Sequence, residues 1–286
     1  MNNFYIIANG EKDEQLKVSR RIRDCLVKEG KTCMIDVAPC KETAQNRYTD
    51  ASDIPKEVDC VIVIGGDGTL LHAARDVVDR QIPLLGVNLG TLGYLAEIDL
   101  SSIESALMHL MLDEYTVEKR MMLMGKVYHE GEKIMEDIAL NDIVIGRDGP
   151  LRMTRFKNYV NGEFLNSYTA DGIIISTATG STGYSLSAGG PIVSPETNIM
   201  IMTPVASHTL NSRSVIFPAD DEITVEIGEG RPKGLARAQA SFDGDTNVPM
   251  TTGDRIVIGR STKSTQIVKI SNISFLEVLR RKMRNS

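Results

Sequence analysis

In the first third of the chain, short continuous apolar runs alternate with stretches in which apolar residues recur at the spacing of a helix. Short runs that are apolar on both faces predict strands, and the stretches between them, with apolar residues at helical spacing, predict helices. The predicted strands cover residues 4–9, 32–37, 60–65 and 82–88, and the predicted helices cover residues 13–29, 70–80 and 101–112. Because strands buried on both faces alternate with helices, we expect an α/β domain whose parallel sheet carries helices on both faces.

From about residue 117 the apolar positions follow the period of strands. Apolar runs separated by Gly, Asn, Asp and Pro predict a second, all-β domain, in which Asn161-Gly162 is a typical hairpin turn. The last residues, from 274 on, are basic and have helical spacing, and we expect this C-terminal helix to pack back on the first domain. The predicted domain ranges are 1–115, 116–272 and 273–286.

Composition and charge narrow the function classes. The 286 residues include 38 acidic and 32 basic ones, a net charge of −6, so nothing indicates a nucleic-acid-binding surface. No apolar run approaches ~18 residues and the first residues lack a signal-peptide pattern, so we expect a cytoplasmic protein without a membrane partner. The four cysteines, Cys25, Cys33, Cys40 and Cys60, form no CxxC pair, and we expect free thiols.

The stretch Gly65-Gly66-Asp67-Gly68-Thr69 directly follows the third predicted strand. Ligands of parallel α/β sheets bind beyond the carboxyl ends of the strands. Glycines there let backbone N–H groups approach an anion, while the next helix contributes its positive N-terminal end. The pattern therefore predicts a phosphate site. The alternative interpretation is a tight strand-to-helix turn in which Asp67 or Thr69 caps the helix.

The usual nucleotide-binding motifs are missing from the sequence. No GxGxxG follows a strand. The one Walker-like fragment, Gly30-Lys31-Thr32, follows a helix instead of opening one and has Cys25 where the first glycine belongs. These absences disfavour a P-loop enzyme and a standard dehydrogenase.

A second candidate site lies in the β region, at residues 171–193. The strand predicted from Ile173 to Ser176 runs into a stretch dense in Thr, Ser and Gly, with Tyr184 and Ser187 close behind. Small hydroxyl-bearing residues let the backbone approach a ligand, and a tyrosine ring can stack on a base. The alternative interpretation is a polar loop that caps a short helix at residues 185–188.

Four motifs, in order along the chain, resemble the signature of the NAD kinases. They are GGDGT at 65–69, NLGTLGYL at 88–95, the pair Asn141-Asp142, and TATGSTGYSLSAGGP at 177–191. The resemblance covers nearly the whole chain. It implies an N-terminal α/β domain followed by a β-sandwich-like domain, with NAD bound in the cleft between them. It also implies that ATP donates its terminal phosphate to the 2′-hydroxyl of the adenosine ribose of NAD.

The resemblance assigns roles residue by residue. Asp67 matches the acid that accepts the proton of the 2′-hydroxyl, and Asp171 matches the acid near the nicotinamide. The pair Asn141-Asp142 matches the residues that hold the adenosine part. The other residues that the resemblance places at the nucleotide are Gly65, Gly66, Gly68, Thr69, Asn88, Arg152, Thr169, Thr179, Thr182, Gly183, Tyr184, Ser185, Ser187, Ala206 and Asp245.

The chain departs from the family pattern at three places. Ala178 and Gly183 stand where the family commonly has Pro and Ala in the TPTGSTAY segment. Ser214 stands where a Pro commonly follows an arginine, and Asp245 stands where an Asp-Gly-Gln stretch has its glutamine. Because a carboxylate accepts hydrogen bonds but donates none, we expect Asp245→Gln to leave the fold intact and to change nucleotide affinity modestly.

The chemistry that the resemblance implies needs one well-placed acid. A ribose hydroxyl is far less acidic than an aspartic acid, so Asp67 cannot ionise it beforehand. In a loose phosphoryl-transfer transition state, orientation of the hydroxyl and late acceptance of its proton are sufficient. No cluster of His, Cys and carboxylate residues indicates a protein-only metal site, so we expect Mg²⁺ to arrive with ATP.

Two alternatives stay open. Gly-Gly-Asp-Gly also occurs in lipid kinases of the diacylglycerol and sphingosine kinase type, although residues 171–191 and Asn141-Asp142 favour a dinucleotide. A non-catalytic NAD(P)-binding regulator would keep the binding residues without turnover, although the retained Asp67 favours an enzyme. From the resemblance and the apolar strands of the second domain, we also expect a homo-oligomer, a dimer or tetramer.

Overall fold

The computed structural model describes residues 1–36, 51–90, 93–96, 98–149, 154–208, 212–230, 234–270 and 273–284. They form two compact units, which are Met1–Arg120 with Ser264–Ser286, and Met121–Lys263. The predicted domain ranges stay a prediction, and they differ from these units mainly at residues 264–272.

The described residues form helices, 3₁₀ turns and strands, and the two units differ in which of these they contain. In chain order the elements are β1 (Asn3–Ala8), a 3₁₀ turn (Glu14–Leu16), α1 (Lys17–Lys28), β2 (Thr32–Ile35), β3 (Cys60–Gly65), α2 (Asp67–Val77), a 3₁₀ turn (Val78–Arg80), β4 (Leu84–Asn88), α3 (Ile103–Met111), β5 (Thr116–His129), β6 (Glu132–Ala139), β7 (Asp142–Arg147), β8 (Thr154–Val160), β9 (Glu163–Ala170), β10 (Gly172–Thr177), a 3₁₀ turn (Thr179–Thr182), α4 (Tyr184–Ser187), β11 (Ile199–Val205), β12 (Val215–Pro218), β13 (Ile223–Ile227), β14 (Arg237–Phe242), β15 (Thr246–Thr251), β16 (Arg255–Lys269) and α5 (Phe275–Arg284). Helices α1, α2, α3 and α5 belong to the first unit, and most of the strands belong to the second.

The first unit is a parallel sheet with helices on both faces. Its strands pair in the order β2-β1-β3-β4, all parallel, and the end of β16 pairs with β4 in the same direction. On one face, Ile62 and Leu85 belong to a core that includes Leu107 of α3. On the other face, Leu70 of α2 approaches Gly86 so closely that a Cβ on this glycine would lie 2.7 Å from the leucine Cδ1. The predicted α/β fold is confirmed.

Helix α1 begins later than its apolar spacing predicts. Asp13 is buried, and its carboxylate accepts hydrogen bonds from the N–H groups of Val18 and Ser19, both at 2.9 Å. The two residues before Lys17 have φ of 57° and 55°, which is the left-handed region. The side chain of Asp13 therefore organises the start of the helix from four residues upstream, and the regular helix begins at Lys17.

The second unit consists of antiparallel strands in two layers. One sheet has the strand order β12-β11-β10-β7-β14-β15, and the other contains β9, β8, β13 and the first part of β16. Strand β5 pairs with β6. Buried side chains from both layers, among them Ile175, Phe242, Phe156 and Val225, form one core. This arrangement confirms the sandwich-like β domain that the resemblance implied.

Two-residue turns join neighbouring strands of the second unit. Asn161 and Gly162 have φ of 50° and 81° between β8 and β9, which confirms the predicted hairpin. Asp243 and Gly244, with φ of 52° and 77°, connect β14 to β15, and the N–H of Asp245 closes this turn on the last residue of β14 at 2.9 Å. Positive φ at both central residues defines a type I′ turn, for which Asn-Gly and Asp-Gly are favoured.

The state of the cysteines and the length of the helices can be compared with the expectations from composition. Cys25, Cys33 and Cys60 are free thiols, as predicted, and Cys40 lies outside the described residues. Burial raises the pKa of Cys60 to about 12. Among the residues that the structure describes, no helix combines the length and the apolar character needed to cross a membrane.

Candidate active site

The GGDGT motif lies at the carboxyl end of β3, where the strand turns into α2. Gly65 ends the strand, Gly66 has an extended backbone (φ −133°, ψ −172°), and Asp67 is the first residue of the helix. Residue 65 must be glycine, because a Cβ there would collide with the hydroxyl of the buried Thr69. Gly68 is exposed, and no atom lies within 4 Å of the position of its Cβ. The cap residue is Gly66 and no side chain caps α2, so the interpretation of Asp67 or Thr69 as the cap is wrong.

The carboxylate of Asp67 binds the backbone of a segment far along the chain. Its Oδ2 accepts a hydrogen bond from the N–H of Tyr94 at 2.8 Å. Its Oδ1 accepts hydrogen bonds from the N–H groups of Leu95 at 3.3 Å and Ala96 at 3.2 Å. Gly93 permits this approach, because a Cβ there would collide with the carboxylate. Asp67 therefore fixes the backbone of residues 93–96 beside the first turn of α2.

The loop after β4 lies at the same end of the sheet. Ile98 forms a parallel bridge with Val87, and the N–H of Asn88 donates to the carbonyl of Ile98 at 2.7 Å. The side chain of Asn88 is buried, and its amide both donates to and accepts from the backbone of Gly90, at 3.2 and 3.1 Å. Asn88 therefore shapes its own loop with both ends of its amide group.

In the second unit, Asn141 and Asp142 lie at the start of β7 and are held by Asp243. The carboxylate of Asp243 accepts hydrogen bonds from the N–H groups of Leu140 at 2.7 Å, Asn141 at 2.8 Å and Asp142 at 3.0 Å. Because Asp243 is also the first residue of the β14–β15 turn, that hairpin sets the position of the pair. In the sequence, an Asp-Gly turn signal marks Asp243, but it does not indicate this role.

The side chain of Asp142 is 6% exposed. Burial, together with the nearby charge of Asp243, raises the pKa of Asp142 to about 7. Among the described residues, no group donates a hydrogen bond to the Asp142 carboxylate, whereas three N–H groups stabilise the charge of Asp243. Near neutral pH the Asp142 carboxyl is therefore present in both forms, and its protonated form can donate a hydrogen bond as well as accept one.

The segment after β10 folds against this pair. The 3₁₀ turn Thr179–Thr182 brings Gly180 over Asn141 so closely that a Cβ on the glycine would lie 2.8 Å from the Asn141 Cα. A Cβ on Gly183 would lie 3.5 Å from the Asn141 Nδ2 and 3.8 Å from the Asp142 Oδ2. The structure therefore brings the Asn-Asp pair and the glycine-rich segment together.

A cavity of about 330 Å³ opens beside these residues. It is lined by Asn141, Asp142, Val144, Tyr184, Ser241, Asp243 and Gly244. The side chain of Tyr184 is 48% exposed, so its ring is available to stack on a flat ligand. An amide, a hydroxyl and two carboxyl groups around a flat aromatic ring suit a nucleoside, whose hydroxyls and base edge both donate and accept hydrogen bonds.

A chain of hydroxyl groups is buried under α4. The Ser185 Oγ lies 3.2 Å from the Thr203 Oγ1, which lies 3.0 Å from the Ser214 Oγ. Ser185 is fully buried and supports the fold of the segment from inside. Ser214, which stands where the family commonly has proline, completes this chain. A short helix does follow the polar loop, at Tyr184–Ser187 instead of residues 185–188, and it is capped at Gly183 without a side-chain hydrogen bond.

The remaining predicted residues of this region differ in their exposure to solvent. Thr179 is buried, and its carbonyl accepts a hydrogen bond from the hydroxyl of Thr182 at 3.2 Å, whereas Ser187 is exposed. Asp245 directly follows the β14–β15 turn, and Arg152 lies outside the described residues. Within the described part of the chain, no group of three or more His, Cys, Asp or Glu residues could hold a metal ion.

A second cluster lies at the other end of β7 and β10. The Arg147 Nε donates to the Asp171 Oδ1 at 2.7 Å and forms an ion pair with it. The carbonyl of Thr169 accepts the N–H of His208 at 3.0 Å, and the N–H of Asp171 donates to the last residue of β11, next to Ala206, at 3.0 Å. The structure therefore brings Thr169, Asp171 and Ala206 together and adds Arg147, for which the sequence carried no specific signal.

Models of two protein-family domains match the chain. The ATP-NAD kinase N-terminal domain matches residues 4–115, and the ATP-NAD kinase C-terminal domain matches residues 140–270. An NAD kinase of Lachnospira eligens is 47% identical over 295 residues, which cover 99% of this chain and 100% of that protein. An NAD kinase of Agathobacter rectalis is 45% identical over 285 residues, which cover 100% of this chain and 99% of that protein.

Two solved structures share the fold. Yeast NADH kinase complexed with NADH aligns with a TM-score of 0.85 at 23% identity, over 99% of this chain and 87% of that one. An NAD kinase from Archaeoglobus fulgidus in complex with ATP aligns with a TM-score of 0.78 at 23% identity, over 99% of both chains. From the two domain models and the relatives that match over almost their whole length, we conclude that this chain belongs to the NAD kinase family.

Proposed function

We propose that this chain is an ATP-dependent NAD kinase, which transfers the γ-phosphate of ATP to the 2′-hydroxyl of the adenosine ribose of NAD and produces NADP. The observation that carries the proposal is the placement of Asp67 in the first turn of α2, after a parallel strand. Phosphate groups of α/β proteins bind at such helix ends. The relatives named NAD kinase, which match over almost the whole chain, support the same reaction.

Asp67 has room for one more hydrogen bond. A carboxylate can accept about four hydrogen bonds, two on each oxygen. The Tyr94 N–H occupies one position on Oδ2, and the Leu95 and Ala96 N–H groups occupy both positions on Oδ1. Oδ2 therefore keeps a position for the 2′-hydroxyl. As the bond between the 2′-oxygen and the γ-phosphorus forms and the bond from that phosphorus to ADP breaks, the hydroxyl proton moves to Oδ2. Late acceptance by a weak base suits a loose transition state.

The N-terminal end of α2 supplies positive electrostatic potential for the transferred phosphate. The first N–H groups of a helix have no partner inside the helix. Gly68 leaves the backbone of this turn open, and the Lys12 ammonium lies 3.1 Å from the position that a Cβ of Gly66 would take. We assign the γ-phosphate to this helix end, with Mg²⁺ bound to ATP as part of the substrate.

The two clusters of the second unit are spaced for a dinucleotide. Between β10 and β7, Ser176 opposes Asp142 and Gly172 opposes Gly146, so four residues separate the two ends. At ~3.4 Å a residue, this separation is about 14 Å. We assign the adenosine to the cavity at the Asp142 end and the nicotinamide to the Asp171 end. Two nucleosides joined by a diphosphate can reach both ends, whereas a single nucleoside cannot.

We further propose a cytoplasmic location and a homo-oligomer without a nucleic-acid or membrane partner. ATP and NAD are intracellular metabolites, and the thiols of Cys25, Cys33 and Cys60 are free, as is usual in a reducing compartment. Among the strands that the structure describes, β9 and β12 lie at sheet edges, and they expose Phe164 (56%) and Ile216 (50%). Unpaired, partly apolar edges of this kind can pair with a second copy, which supports a dimer or tetramer.

A coupled assay tests the reaction. The purified protein is incubated with NAD, ATP and Mg²⁺, and an NADP-specific dehydrogenase reports the product, with diacylglycerol and sphingosine as parallel phosphate acceptors. NADP formation that depends on ATP is the expected result. Phosphorylation of a lipid without NADP formation would favour the lipid kinase alternative. Binding of NAD in a calorimeter without any phosphorylation would favour the non-catalytic regulator.

A further inference from the structure

Helix α5 lies beyond both family-domain matches, the second of which ends at residue 270, yet it packs on the segment that holds Asp67. The rings of Phe275 and Tyr94 have their centroids 6.3 Å apart and are inclined by 43°. The Lys282 Nζ lies 4.6 Å from the centroid of the same tyrosine ring. Because Phe275 and Lys282 are seven residues apart, about two helical turns, they share one face of α5. This face contacts Tyr94 at two points.

Tyr94 connects the helix to the carboxylate. Its backbone N–H is the donor to the Asp67 Oδ2, the oxygen that we assign to the substrate hydroxyl. The following part of the segment is anchored on the sheet, because Ala96 packs so tightly that a Cβ on Gly86 would lie 2.8 Å from its Cα. Within the described part of the chain, the aromatic and cation–π contacts of Tyr94 are both with α5. Helix α5 therefore contacts the ring of the residue whose N–H holds the Asp67 Oδ2.

Helix α5 is attached weakly. It has ten residues, none of them buried, and the side chains of Leu276 and Met283 are 65% and 70% exposed. A helix shorter than about 12 residues is marginal in water by itself, so α5 depends on its docking contacts. Elements with few buried contacts open locally at a small cost in free energy. We therefore expect undocking of α5 to cost less free energy than opening of the buried strands.

We propose that docking of α5 on Tyr94 positions the carboxylate of Asp67 for phosphoryl transfer, with Lys282 and Phe275 as positioning residues. The inference rests on the proposed function. When α5 is docked, the Tyr94 N–H holds Oδ2 in one orientation. When α5 leaves, the tyrosine loses both ring contacts, and the carboxylate is held through Oδ1 alone and can rotate. Docking thus changes kcat, while the groups that bind NAD and ATP stay in place.

Three single variants of the full chain separate this role from a general effect of charge. Lys282→Met removes the cation but keeps an unbranched apolar side chain, and Lys282→Arg keeps a cation over the ring. Arg280→Met removes the same charge from an exposed position of the same helix. We expect Lys282→Met to lower kcat about two- to fivefold with unchanged KM for NAD and ATP. Lys282→Arg should restore kcat, and Arg280→Met should equal the wild type.

Amide hydrogen exchange gives a readout that does not depend on activity. In Lys282→Met, the N–H of Tyr94 should exchange about two- to fivefold faster, because its bond to Asp67 opens more often. The amides of the buried strand β10 should exchange at the wild-type rate, since global stability is unaffected. The double variant Phe275→Ala/Lys282→Met should enlarge both effects to about tenfold.

Three outcomes would contradict the proposed role of α5 or the proposed function. If the double variant equals the wild type in kcat and in exchange at Tyr94, the inference is wrong. It is also wrong if Arg280→Met loses as much activity as Lys282→Met, because helix charge then explains the effect. A wild-type protein that forms no NADP would contradict the proposed function instead, and the exchange measurement would still test the contact between α5 and the Asp67 segment.

Discussion

Asp67 combines a structural contact with the chemistry that its motif implies. Three N–H groups of residues 94–96 bind its carboxylate, so any substitution affects this segment as well as the proposed proton transfer. Asparagine keeps one accepting oxygen, but it replaces the other with an NH₂ group, which cannot accept a hydrogen bond from an N–H. Stability and activity must therefore be measured separately.

We expect Asp67→Asn to lower kcat by about 10²- to 10⁴-fold, the usual range for loss of a general base. The dissociation constant of NAD should stay within a small factor, because the amide oxygen can still accept from the ribose. The variant should also lose about 1–3 kcal/mol of stability, since at least one N–H loses a charged acceptor. Kinetics at saturating substrate, calorimetric titration with NAD and thermal unfolding on one preparation check these three effects. Wild-type kcat would remove Asp67 from the chemistry.

Asp142 makes stability depend on pH. Its pKa rises from 3.8 to about 7 on folding. Between these values the folded state binds more protons than the unfolded state, so this residue lowers stability as pH rises from about 4 to 7. Asp142→Asn removes the buried charge and should be more stable than the wild type at pH 8, by roughly 1–4 kcal/mol. The difference should shrink towards pH 4. Urea unfolding at several pH values measures it, and a difference independent of pH would contradict the shift.

At the scale of elements, close backbone approach builds the nucleotide end of the second unit. All six residues of β10 are buried, and the strand runs into the 179–182 turn, which contacts the backbone of Asn141 at Gly180. The β14–β15 hairpin reaches the same place through the carboxylate of Asp243. The nucleotide end is thus formed by backbone segments in close contact. If one of these contacts is lost, a side-chain substitution elsewhere cannot replace it.

Gly180→Ala should therefore disrupt both the turn and nucleotide binding. The added Cβ would meet three backbone atoms of Asn141, and backbone cannot rotate out of the way as a side chain can. We expect a loss of about 1–3 kcal/mol in stability and a clear loss of NAD affinity, measured by thermal unfolding and calorimetry. Gly259→Ala is the matched control, because its Cβ meets its nearest atom at an ordinary 3.8 Å. Equal behaviour of the two variants would contradict the prediction.

At the scale of the whole molecule, we predict an assembly of two or four chains. Light scattering at micromolar concentration should give a mass that is a multiple of 31.4 kDa, two or four chains. Phe164→Lys introduces a charge at an exposed position of an edge strand and should shift the mass towards the monomer, since edge charges prevent strand pairing. A wild-type particle of one chain at this concentration would refute the proposed oligomer.

The apolar pattern determined the division into an α/β and an all-β part and most strands of the first domain, and the turn residues Asn161-Gly162 determined a hairpin. These features follow from the period of buried positions and from local turn preferences, which are properties of a few neighbouring residues. The motifs along the chain also identified the residues around Gly65–Thr69 and the Asn141-Asp142 pair as candidates. The sequence could name these residues because their types and spacing are visible without knowledge of their neighbours.

The tertiary structure decided which groups these residues contact. Asp67 binds backbone N–H groups 27 to 29 residues away, and Asp243 binds N–H groups 101 to 103 residues away. The raised pKa of Asp142 arises from burial beside Asp243, and the role inferred for α5 arises from its contact with Tyr94. Periodicity is set by the geometry of the local backbone, whereas the partner of a polar group and its exposure to water are set by chain segments that only the fold brings together.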